Sequence, residues 1–424
     1  MTKGDNALSQ ADQRAIVLIG AGKIGMGYVA DVFDNDGYHL VFINRSPEKV
    51  IKMNEQGFYT IYMENRRDNT VKRRRISDYE AYSYKTERDQ CVKRLTEIDL
   101  VCVQIYPNGA GDAMELLADA IKLRVEKGIN RAFNIMFCVN FVYPSRLFRE
   151  GIDNLLDTEA QKLYLRDFVG FQEGLTYRGG TDPTPEMLAE DPLMVAAGVA
   201  YLNGEVIDFI PMGDTFVGDR PDTKALRFID KAEGRVILKV WCGNMAHCYY
   251  NVAGYFFDGA LYAHEAAKNE YGRFLTQQAL YEAVDAVGAA YGFDDNLLRE
   301  SRQLSKPNLN TSSPDRVARI ANDPIRKLAR NDRFTGIGLL CLEKNILPYY
   351  IARGAALMFL YDMPEDANAV TIQNYIAEHG IIAAIDRFCE LDTAKRDDMI
   401  WRQLVYKNYL ELIEIKKQRF IDKS

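Results

Sequence analysis

The chain has 424 residues, more than one hydrophobic core usually supports, so two domains are the default expectation. Its formal net charge of −7 argues against nucleic acid or an anionic membrane as the main partner. No apolar stretch approaches the ~20 residues that a membrane helix needs, and the polar N-terminal residues 1–14 lack a signal-like apolar centre. The sequence therefore predicts a cytoplasmic protein.

Seven cysteines are scattered along the chain, several of them inside apolar runs. An odd number without regular spacing is typical of reduced core thiols and not of a disulfide framework. No grouping of Cys and His has the spacing of a zinc site, so no metal is expected.

The first predicted strand, residues 15–19, runs directly into glycines at Gly20, Gly22 and Gly25. Gly20 permits a tight turn, Gly22 lets the backbone approach a pyrophosphate, and Gly25 lets the next helix pack closely on the sheet. An amphipathic helix and a second strand, residues 39–43, complete a βαβ unit. The pattern predicts a dinucleotide site; the alternative is a glycine turn that only packs a helix on a sheet. The predicted cofactor contacts in this loop are Gly20, Ala21, Gly22, Lys23, Ile24 and Gly25.

Asn44, Arg45 and Ser46 end the second strand, where folds selective for NAD usually place Asp or Glu. Asn44 is neutral, Arg45 offers a guanidinium for a phosphate, and Ser46 can add a hydrogen bond. We therefore expect the cofactor to be NAD or NADP, with NADP accepted. The alternative is an ordinary turn in which Ser46 and Pro47 start the next helix.

Strands and helices alternate through the first half, which predicts an α/β domain: a Rossmann-type, doubly wound, mostly parallel sheet. Residues 57–62 look like an inserted strand with a partner near Arg75 and Ile76, so the basic run 72–75 is interpreted as a solvated hairpin edge. The other predicted elements are strands at 98–105, 132–138 and 168–171, a helix at 111–126, and two strands at 193–199 and 205–210 that extend the sheet.

From about residue 235, long helical periodicities replace the strand-like runs, at 275–291, 337–360, 371–384 and 397–419. We place the boundary at the connection 218–222, which gives a dinucleotide-binding domain at 12–222 and a mainly α-helical substrate and catalytic domain at 223–424. Ligands in such folds sit beyond the carboxyl ends of the strands, so catalytic residues are expected near the domain junction.

Lys239, Asn244 and His247 follow that junction. Asn244 and His247 are three residues apart and would share a helical face, and Lys239 would lie about 80° from His247 at α-helical pitch. Oxidation of an alcohol needs a base for the hydroxyl proton and donors that hold the oxygen. Burial beside Val240 and Trp241 could bring the pKa of Lys239 towards the ~7–8 useful to a general base. The alternative is a surface helix.

Two further segments are candidates for ligand contact. Arg326, Lys327 and Arg333 could bind a substrate phosphate, because arginine meets phosphate oxygens in a forked geometry; surface salt bridges are the alternative. The glycine-rich run 108–111 follows a strand and is expected to pass under the nicotinamide, unless it is a plain turn.

The pattern Lys-x4-Asn-x2-His after a GAGxIGxG loop resembles the polyol-specific long-chain dehydrogenase family, the mannitol dehydrogenase family. The similarity runs through most of the chain and includes Gly20-Ala-Gly-Lys-Ile-Gly-Met-Gly27, Ile98-Asp-Leu-Val101, Asn134-Ile-Met-Phe-Cys-Val-Asn140, Val169-Gly-Phe171, Tyr291-Gly-Phe-Asp294, Asn322-Asp-Pro-Ile-Arg-Lys-Leu328 and Asp332-Arg333. The resemblance implies that Lys239 is the general acid/base and that Asn244 and His247 hold the reacting oxygen.

The chain departs from the family pattern at two places. It has Cys138-Val139-Asn140 where the family usually has Cys-Glu/Asp-Asn, and Asn140 is expected to contact the cofactor. Glu173 stands where an asparagine of some relatives helps to hold the developing oxyanion. A carboxylate would repel that charge unless it is protonated or turned away. Arg178 keeps a basic position of the family and is expected to be a structural ion-pair partner.

The resulting expectation is an NAD(P)-dependent oxidoreductase that interconverts a sugar alcohol, with a polyol phosphate favoured, and its ketose. The alternatives are a related reductase of uronates or other sugar acids, and a catalytically silent nucleotide-binding protein. The resemblance favours a monomer.

Overall fold

The computed structural model describes residues 14–65, 67–202, 205–303 and 315–421, without the side chains of 202 and 419–421. The chain divides into two compact units, one ending at Glu233 and one starting at Gly234. The bounds 12–222 and 223–424 remain a proposal about function. Residue 12 lies outside the described residues, and the strand Leu226–Ile229 pairs with Ile210–Gly213 inside the first unit.

The first unit contains every named strand of the described chain. They are β1 (Ala15–Ile19), β2 (His39–Asn44), β3 (Phe58–Asn65), β4 (Thr70–Ser77), β5 (Tyr79–Ser83), β6 (Leu100–Val103), β7 (Phe133–Phe137), β8 (Val169–Glu173), β9 (Gly180–Thr181), β10 (Val195–Gly198), β11 (Tyr201–Leu202), β12 (Glu205–Val206), β13 (Ile210–Gly213) and β14 (Leu226–Ile229). Its helices are α1 (Ala30–Asn35), α2 (Pro47–Gln56), α3 (Arg88–Glu97), α4 (Ala110–Glu126), α5 (Pro144–Asp153), α6 (Glu159–Phe168) and α7 (Pro185–Glu190).

Six strands form one parallel sheet in the order β5-β2-β1-β6-β7-β8. Val17 on β1, for example, lies opposite Val41 on β2 and Val101 on β6. Both faces of the inner strands are apolar and buried, as expected for a parallel sheet covered by helices. The chain order reverses between β1 and β6, which is where such sheets bind ligands at their carboxyl edge. The predicted doubly wound sheet is confirmed.

A second sheet, in the order β4-β3-β10-β9, packs beside the first. The predicted partner of β3 is confirmed, because Tyr59 lies opposite Ile76 and Thr60 opposite Arg75. The basic run lies on β4 at the sheet edge, where the Arg75 guanidinium stacks 3.5 Å from the centre of the Phe58 ring. It is a hairpin edge, as the sequence indicated.

The prediction that 193–199 and 205–210 extend the main sheet is wrong. Residues 195–198 pair in parallel with β3, so that Val195 lies opposite Ile61 in the second sheet. Residues 205–206 form a short hairpin with 201–202. The apolar pattern marked the strands, but it carries no information about which partner a strand chooses.

Helices dominate the second unit. They are α8 (Ala232–Ile237), which begins at the end of the first unit, α9 (Asn244–Asp258), α10 (Ala263–Ala266), α11 (Glu270–Tyr291), α12 (Asp295–Ser301), α13 (Val317–Ala321), α14 (Pro324–Leu328), α15 (Thr335–Glu343), α16 (Tyr349–Phe359), α17 (Ala367–Phe388) and α18 (Arg396–Ile421). The predicted helix 337–360 is two helices, because Asn345 has a φ of 59° and Pro348 precedes α16. Gly380, with a φ of 81°, interrupts α17.

No helix in the described ranges is long and apolar enough to cross a membrane. All seven cysteines are buried and none is in a disulfide. Within the same ranges, no three His, Cys, Asp or Glu side chains are grouped so that they could hold a metal ion.

Candidate active site

The loop after β1 is shaped by close backbone contacts. Gly20 has a φ of 114°, and a Cβ there would lie 2.2 Å from the carbonyl oxygen of Gln104. A Cβ on Gly25 would lie 2.1 Å from the carbonyl oxygen of Gly20, whereas nothing lies within 4 Å of the Cβ position of Gly22. Two glycines are therefore required by packing, and the third leaves open space where a pyrophosphate can approach the backbone. The loop fits a dinucleotide.

The helix that follows the loop contains a π-helical turn at Gly25–Val29, where the Ala30 N–H donates to the carbonyl oxygen of Gly25. The start of this helix offers free N–H groups to an anion. Lys23, in the loop, pairs with Asp182 at 2.5 Å, and both side chains are exposed.

At the end of β2, the Asn44 side chain is tied to the glycine loop, because its Oδ1 accepts from the Ala21 N–H at 3.3 Å. Ser46 is the N-cap of α2 and accepts from the Lys49 N–H at 3.2 Å, with Pro47 in the first turn. Ser46 thus starts α2, as in the ordinary-turn alternative, and its contact with the cofactor stays a prediction. Arg45 is exposed. The Arg45 side chain is therefore open to solvent at the end of β2.

Two candidates follow β6 and β7 at the same carboxyl edge. The run 108–111 forms a 3-10 turn, Pro107–Gly109, that leads into α4. Asn140 lies three residues beyond the end of β7 and is exposed. Parallel strands bring their carboxyl ends to one edge, so these two segments and the glycine loop share an edge of the sheet.

Glu173 is the last residue of β8 and is only 7% exposed. Its Oε1 accepts a hydrogen bond of 3.1 Å from the Ser145 N–H, in the first turn of α5. Burial raises the pKa of Glu173 to about 7, against the lowering effect of that bond; Glu233 raises it further and Arg146 lowers it. One oxygen is thus turned towards a helix N-terminus, and the acid form is populated near neutral pH.

Arg178 is a structural ion-pair partner, as expected. Its guanidinium is 3% exposed, pairs with Asp31 at 2.5 Å and donates to the carbonyl oxygen of Gly27 at 3.0 Å. Arg74 also pairs with Asp31, at 3.0 Å. This network fixes the helix after the glycine loop against the second sheet.

In the second unit, Lys239 lies in a π-helical segment, Leu238–Gly243, between α8 and α9. The Asn244 N–H donates to the carbonyl oxygen of Lys239, five residues back. Hydrogen-bonded residues of a helix lie nearly above one another, so Lys239 and Asn244 share a face, and His247 continues it one α-turn later. The extra residue of the π turn brings Lys239 closer to that face than the 80° expected for a regular α-helix.

His247 is partly buried and its environment is polar. Burial lowers the pKa of its imidazole; the charge of Asp315 opposes this, and the charges of Arg319 and Arg333 add to it. Asn251 holds the backbone here by donating to the His247 carbonyl oxygen at 2.8 Å. The imidazole is therefore neutral at neutral pH and carries one N–H donor.

Two of the three cations predicted to bind phosphate, Arg326 and Arg333, meet at Asp332. Arg326 donates to Asp332 at 2.9 Å and to Asp323 at 3.2 Å, and Arg333 donates to Asp332 at 2.8 Å. Lys327 is buried, donates to the Ala321 carbonyl oxygen at 3.2 Å, and has a pKa that burial lowers to about 8. These ion pairs support the salt-bridge alternative for Arg326, while Arg333 is near enough to His247 to affect its pKa.

Sequence reasoning missed Lys49. Its Nζ donates to the Ala21 carbonyl oxygen at 2.5 Å, which places a cation against the middle of the glycine loop. The signal was available, because Lys49 follows the N-cap Ser46 by three residues and the first turn of α2 must lie beside the end of β2. The π-helical segment at Lys239 was also missed.

Residues 14–197 match the family model described as the mannitol dehydrogenase Rossmann domain. A mannitol-1-phosphate 5-dehydrogenase of Thermoanaerobacter pseudethanolicus is 27% identical over 404 residues, which cover 95% of this chain and 99% of that relative. One of Geobacillus stearothermophilus is 25% identical over 381 residues, 89% of this chain and 95% of that relative.

Solved structures share the fold. The ternary complex of Pseudomonas fluorescens mannitol 2-dehydrogenase with NAD and D-mannitol superposes with a TM-score of 0.70 at 16% identity, covering 97% of this chain and 95% of that one. A substrate-free D-sorbitol dehydrogenase has a TM-score of 0.64 at 16% identity, covering 94% of each chain. The first unit thus matches the mannitol dehydrogenase Rossmann domain over residues 14–197, the chain is similar over nearly its whole length to relatives named mannitol-1-phosphate 5-dehydrogenase, and it shares the fold of the solved polyol dehydrogenases.

Proposed function

We propose that this protein is an NAD- or NADP-dependent oxidoreductase that interconverts a sugar alcohol phosphate, such as mannitol 1-phosphate, and the corresponding ketose phosphate. The observation that carries the proposal is similarity over nearly the whole chain to relatives named mannitol-1-phosphate 5-dehydrogenase, 27% over 404 residues in one case. The set Lys239, Asn244 and His247 on one helical face supports it, because alcohol oxidation needs a base and oxygen-holding donors.

The first unit would hold the cofactor, whose nicotinamide ring accepts or returns the hydride. The N–H groups at the start of the helix after Gly20, Ala21, Gly22, Lys23, Ile24 and Gly25 would bind the pyrophosphate. Asn44, Arg45 and Ser46 would contact the adenosine ribose, and Asn140 would lie beside the other end of the cofactor. The open space at Gly22 supports this assignment.

In the second unit, we assign proton transfer to Lys239. A neutral amine can accept the hydroxyl proton as the alcohol is oxidised and return it when the ketose is reduced. Asn244 would donate its side-chain N–H to the reacting oxygen. His247 would donate its ring N–H, and burial keeps the imidazole neutral. Both donors are strongest where negative charge develops on that oxygen.

We assign the substrate phosphate to the cations Arg326, Lys327 and Arg333. The charge of Arg333 acts on the pKa of His247, and its guanidinium pairs with Asp332 at 2.8 Å, so it would have to exchange that carboxylate for the phosphate. Arg326 is engaged with two carboxylates, so its contribution depends on releasing one of them.

The test measures turnover of hexitol and pentitol phosphates, free polyols and uronates. The formation or loss of reduced nicotinamide is the readout. We expect the largest kcat/KM for a polyol phosphate and its ketose phosphate. A larger kcat/KM for a uronate would instead assign a sugar-acid reductase. Tight cofactor binding without turnover of any of these compounds would assign a catalytically silent nucleotide-binding protein.

We also propose that the enzyme acts as a monomer, since each unit already contains its own candidate site residues. Light scattering coupled to size-exclusion chromatography measures this. A mass near 48.3 kDa is expected, and twice that mass would contradict the proposal.

A further inference from the structure

Lys49 is a cation without a carboxylate partner among the described residues. It lies in the first turn of α2 and is partly buried, and its Nζ makes one hydrogen bond, to the Ala21 carbonyl oxygen at 2.5 Å. Burial lowers the pKa of Lys49, and no acidic group offsets that effect. An ammonium withdrawn from water without a counter-ion is unfavourable, which indicates a place for an anion.

Around Lys49 lie an amide, a guanidinium and one exposed carboxylate, that of Glu48. The Asn44 side chain meets the same residue of the loop, since its Oδ1 accepts from the Ala21 N–H at 3.3 Å. Arg45 is the next residue and is exposed. The neighbouring acid on α2, Glu48, is exposed and accepts from the Ser46 hydroxyl at 2.9 Å.

A second acid lies in the first turn of α4 and is bound by two residues that follow β5. Asp112 accepts from the Tyr84 hydroxyl at 2.8 Å and pairs with Lys85 at 3.3 Å. The pairing with Lys85 therefore reduces the attraction between Asp112 and Arg45. The carboxyl end of β2 thus has two cations, Lys49 and Arg45, and within the part of the chain that the structure describes the exposed Glu48 is bonded to Ser46 and pairs with neither of them.

We propose that Lys49 and Arg45 bind the 2′-phosphate of NADP, so that the protein prefers NADP to NAD. This rests on the proposed function only in requiring a dinucleotide at the glycine loop. In such folds the adenosine ribose lies at the end of the second strand, where an acid would accept its hydroxyls and repel a 2′-phosphate. Here Asn44 takes that place, Lys49 has two N–H donors that meet no acceptor among the described residues, and Arg45 offers its guanidinium fork.

A purely mechanical role for Lys49 predicts a different outcome. If its bond to Ala21 only supports the loop, removing the ammonium should weaken the affinities for NAD and NADP equally, because both cofactors contain the pyrophosphate that the loop would bind. If Lys49 binds the 2′-phosphate, only ligands with that phosphate should lose affinity. The difference between the two cofactors therefore decides the role.

The first experiment measures binding without turnover. Calorimetry compares 2′-AMP with 5′-AMP on the full chain, and NADPH with NADH. We expect Lys49→Met to weaken the affinity for 2′-AMP and NADPH by about tenfold or more, because one partner of a charged hydrogen bond is removed. The affinity for NADH should change less than about threefold. Arg45→Ala should act in the same direction.

The matched control is Lys52→Met, which removes an exposed lysine from the same helix and alters net charge equally. It should leave the ratio of NADPH to NADH affinity unchanged. An equal loss for both cofactors in Lys49→Met, or a wild-type protein that binds NADH more tightly than NADPH, would overturn the inference. If the wild type binds neither cofactor, the proposed function fails instead.

Discussion

Lys239 keeps part of its surface exposed while its chain neighbours Leu238 and Val240 are buried. Replacing Lys239 with Ala should lower turnover by roughly 10²–10⁴-fold, because the proton acceptor of the alcohol is lost. Affinity for the cofactor should change little, since the glycine loop belongs to the other unit. Steady-state kinetics and NADH or NADPH titration measure both. A folded variant with near wild-type turnover would remove Lys239 from the mechanism.

Asn244 and His247 should each lower kcat when replaced by Ala, because each would remove a donor to the oxygen as charge develops. The expected loss is roughly 10²–10³-fold for a single donor of this kind. The measurement is kcat and KM for substrate in both directions. A rise in KM with unchanged kcat would make that residue a binding group and not a stabiliser of the transition state.

Glu173 should make stability depend on pH. Its pKa is raised in the folded state to about 7 from 4.5, so the folded protein binds the proton more tightly than the unfolded chain. The stabilisation by protonated Glu173 is therefore complete below about pH 4.5 and is lost as pH rises through 7. The unfolding free energy should fall by roughly 3 kcal/mol or less over that range. Urea denaturation of the wild type and Glu173→Gln at pH 5 and pH 8 tests this. The variant should lose less stability than the wild type across that interval.

A control for Glu173 exists in the second unit. Glu282 accepts from the N–H groups of Tyr350 and Ile351, and burial raises its pKa to about 7 as well. Glu282→Gln should thus reduce the pH dependence of the unfolding free energy over the same interval, but for the second unit. Identical pH profiles for the wild type and Glu173→Gln would show that the carboxyl of Glu173 does not titrate as argued.

The π-helical segment Leu238–Gly243 gives a prediction about an element. Inserting one alanine after Gly243 should turn Lys239 by about 100° relative to Asn244 and His247, because each further residue of helix adds about 100° of rotation. Turnover should fall about as far as in Lys239→Ala, while circular dichroism still reports a folded helical protein. Gly243→Ala is the matched control, because its Cβ would lie 3.8 Å from the Leu238 carbonyl oxygen, an ordinary contact. Full activity in the insertion variant would show that this register is not needed.

Sequence patterns predicted which helices and strands exist better than they predicted the hydrogen bonding and the breaks within them. The apolar run before Gly20 predicts β1 and the glycine loop, because packing and phosphate contact both require glycine there. The π turn at Lys239 could not be predicted, since one additional residue hardly changes an apolar periodicity that spans 27 residues of helix. Pro348 is a sequence signal for the break between α15 and α16. One helix was predicted instead because the apolar pattern continues on both sides of that proline.

For the whole molecule, the change from alternating strands and helices to helices alone predicts the two kinds of unit. The pairing of β10 with β3 was beyond reach, because strands 130 residues apart in sequence meet through the fold and not through any local signal. The candidate catalytic residues came from motif spacing, whereas Lys49 required the distance to Ala21 to be recognised. Local chemistry is therefore readable from the sequence, and long-range pairing is not.

The burial of every thiol has a practical consequence for following this protein as it unfolds. Three of the seven cysteines precede residue 233 and four follow it, and none is exposed in the folded chain. An alkylating reagent can reach them only after the surrounding unit opens, since a buried thiol is inert. The mass added to each molecule then identifies the unit that opened: three adducts mark the dinucleotide unit, four the helical unit, and seven both. The chain thus carries a built-in stoichiometric label for the order in which its two halves lose structure.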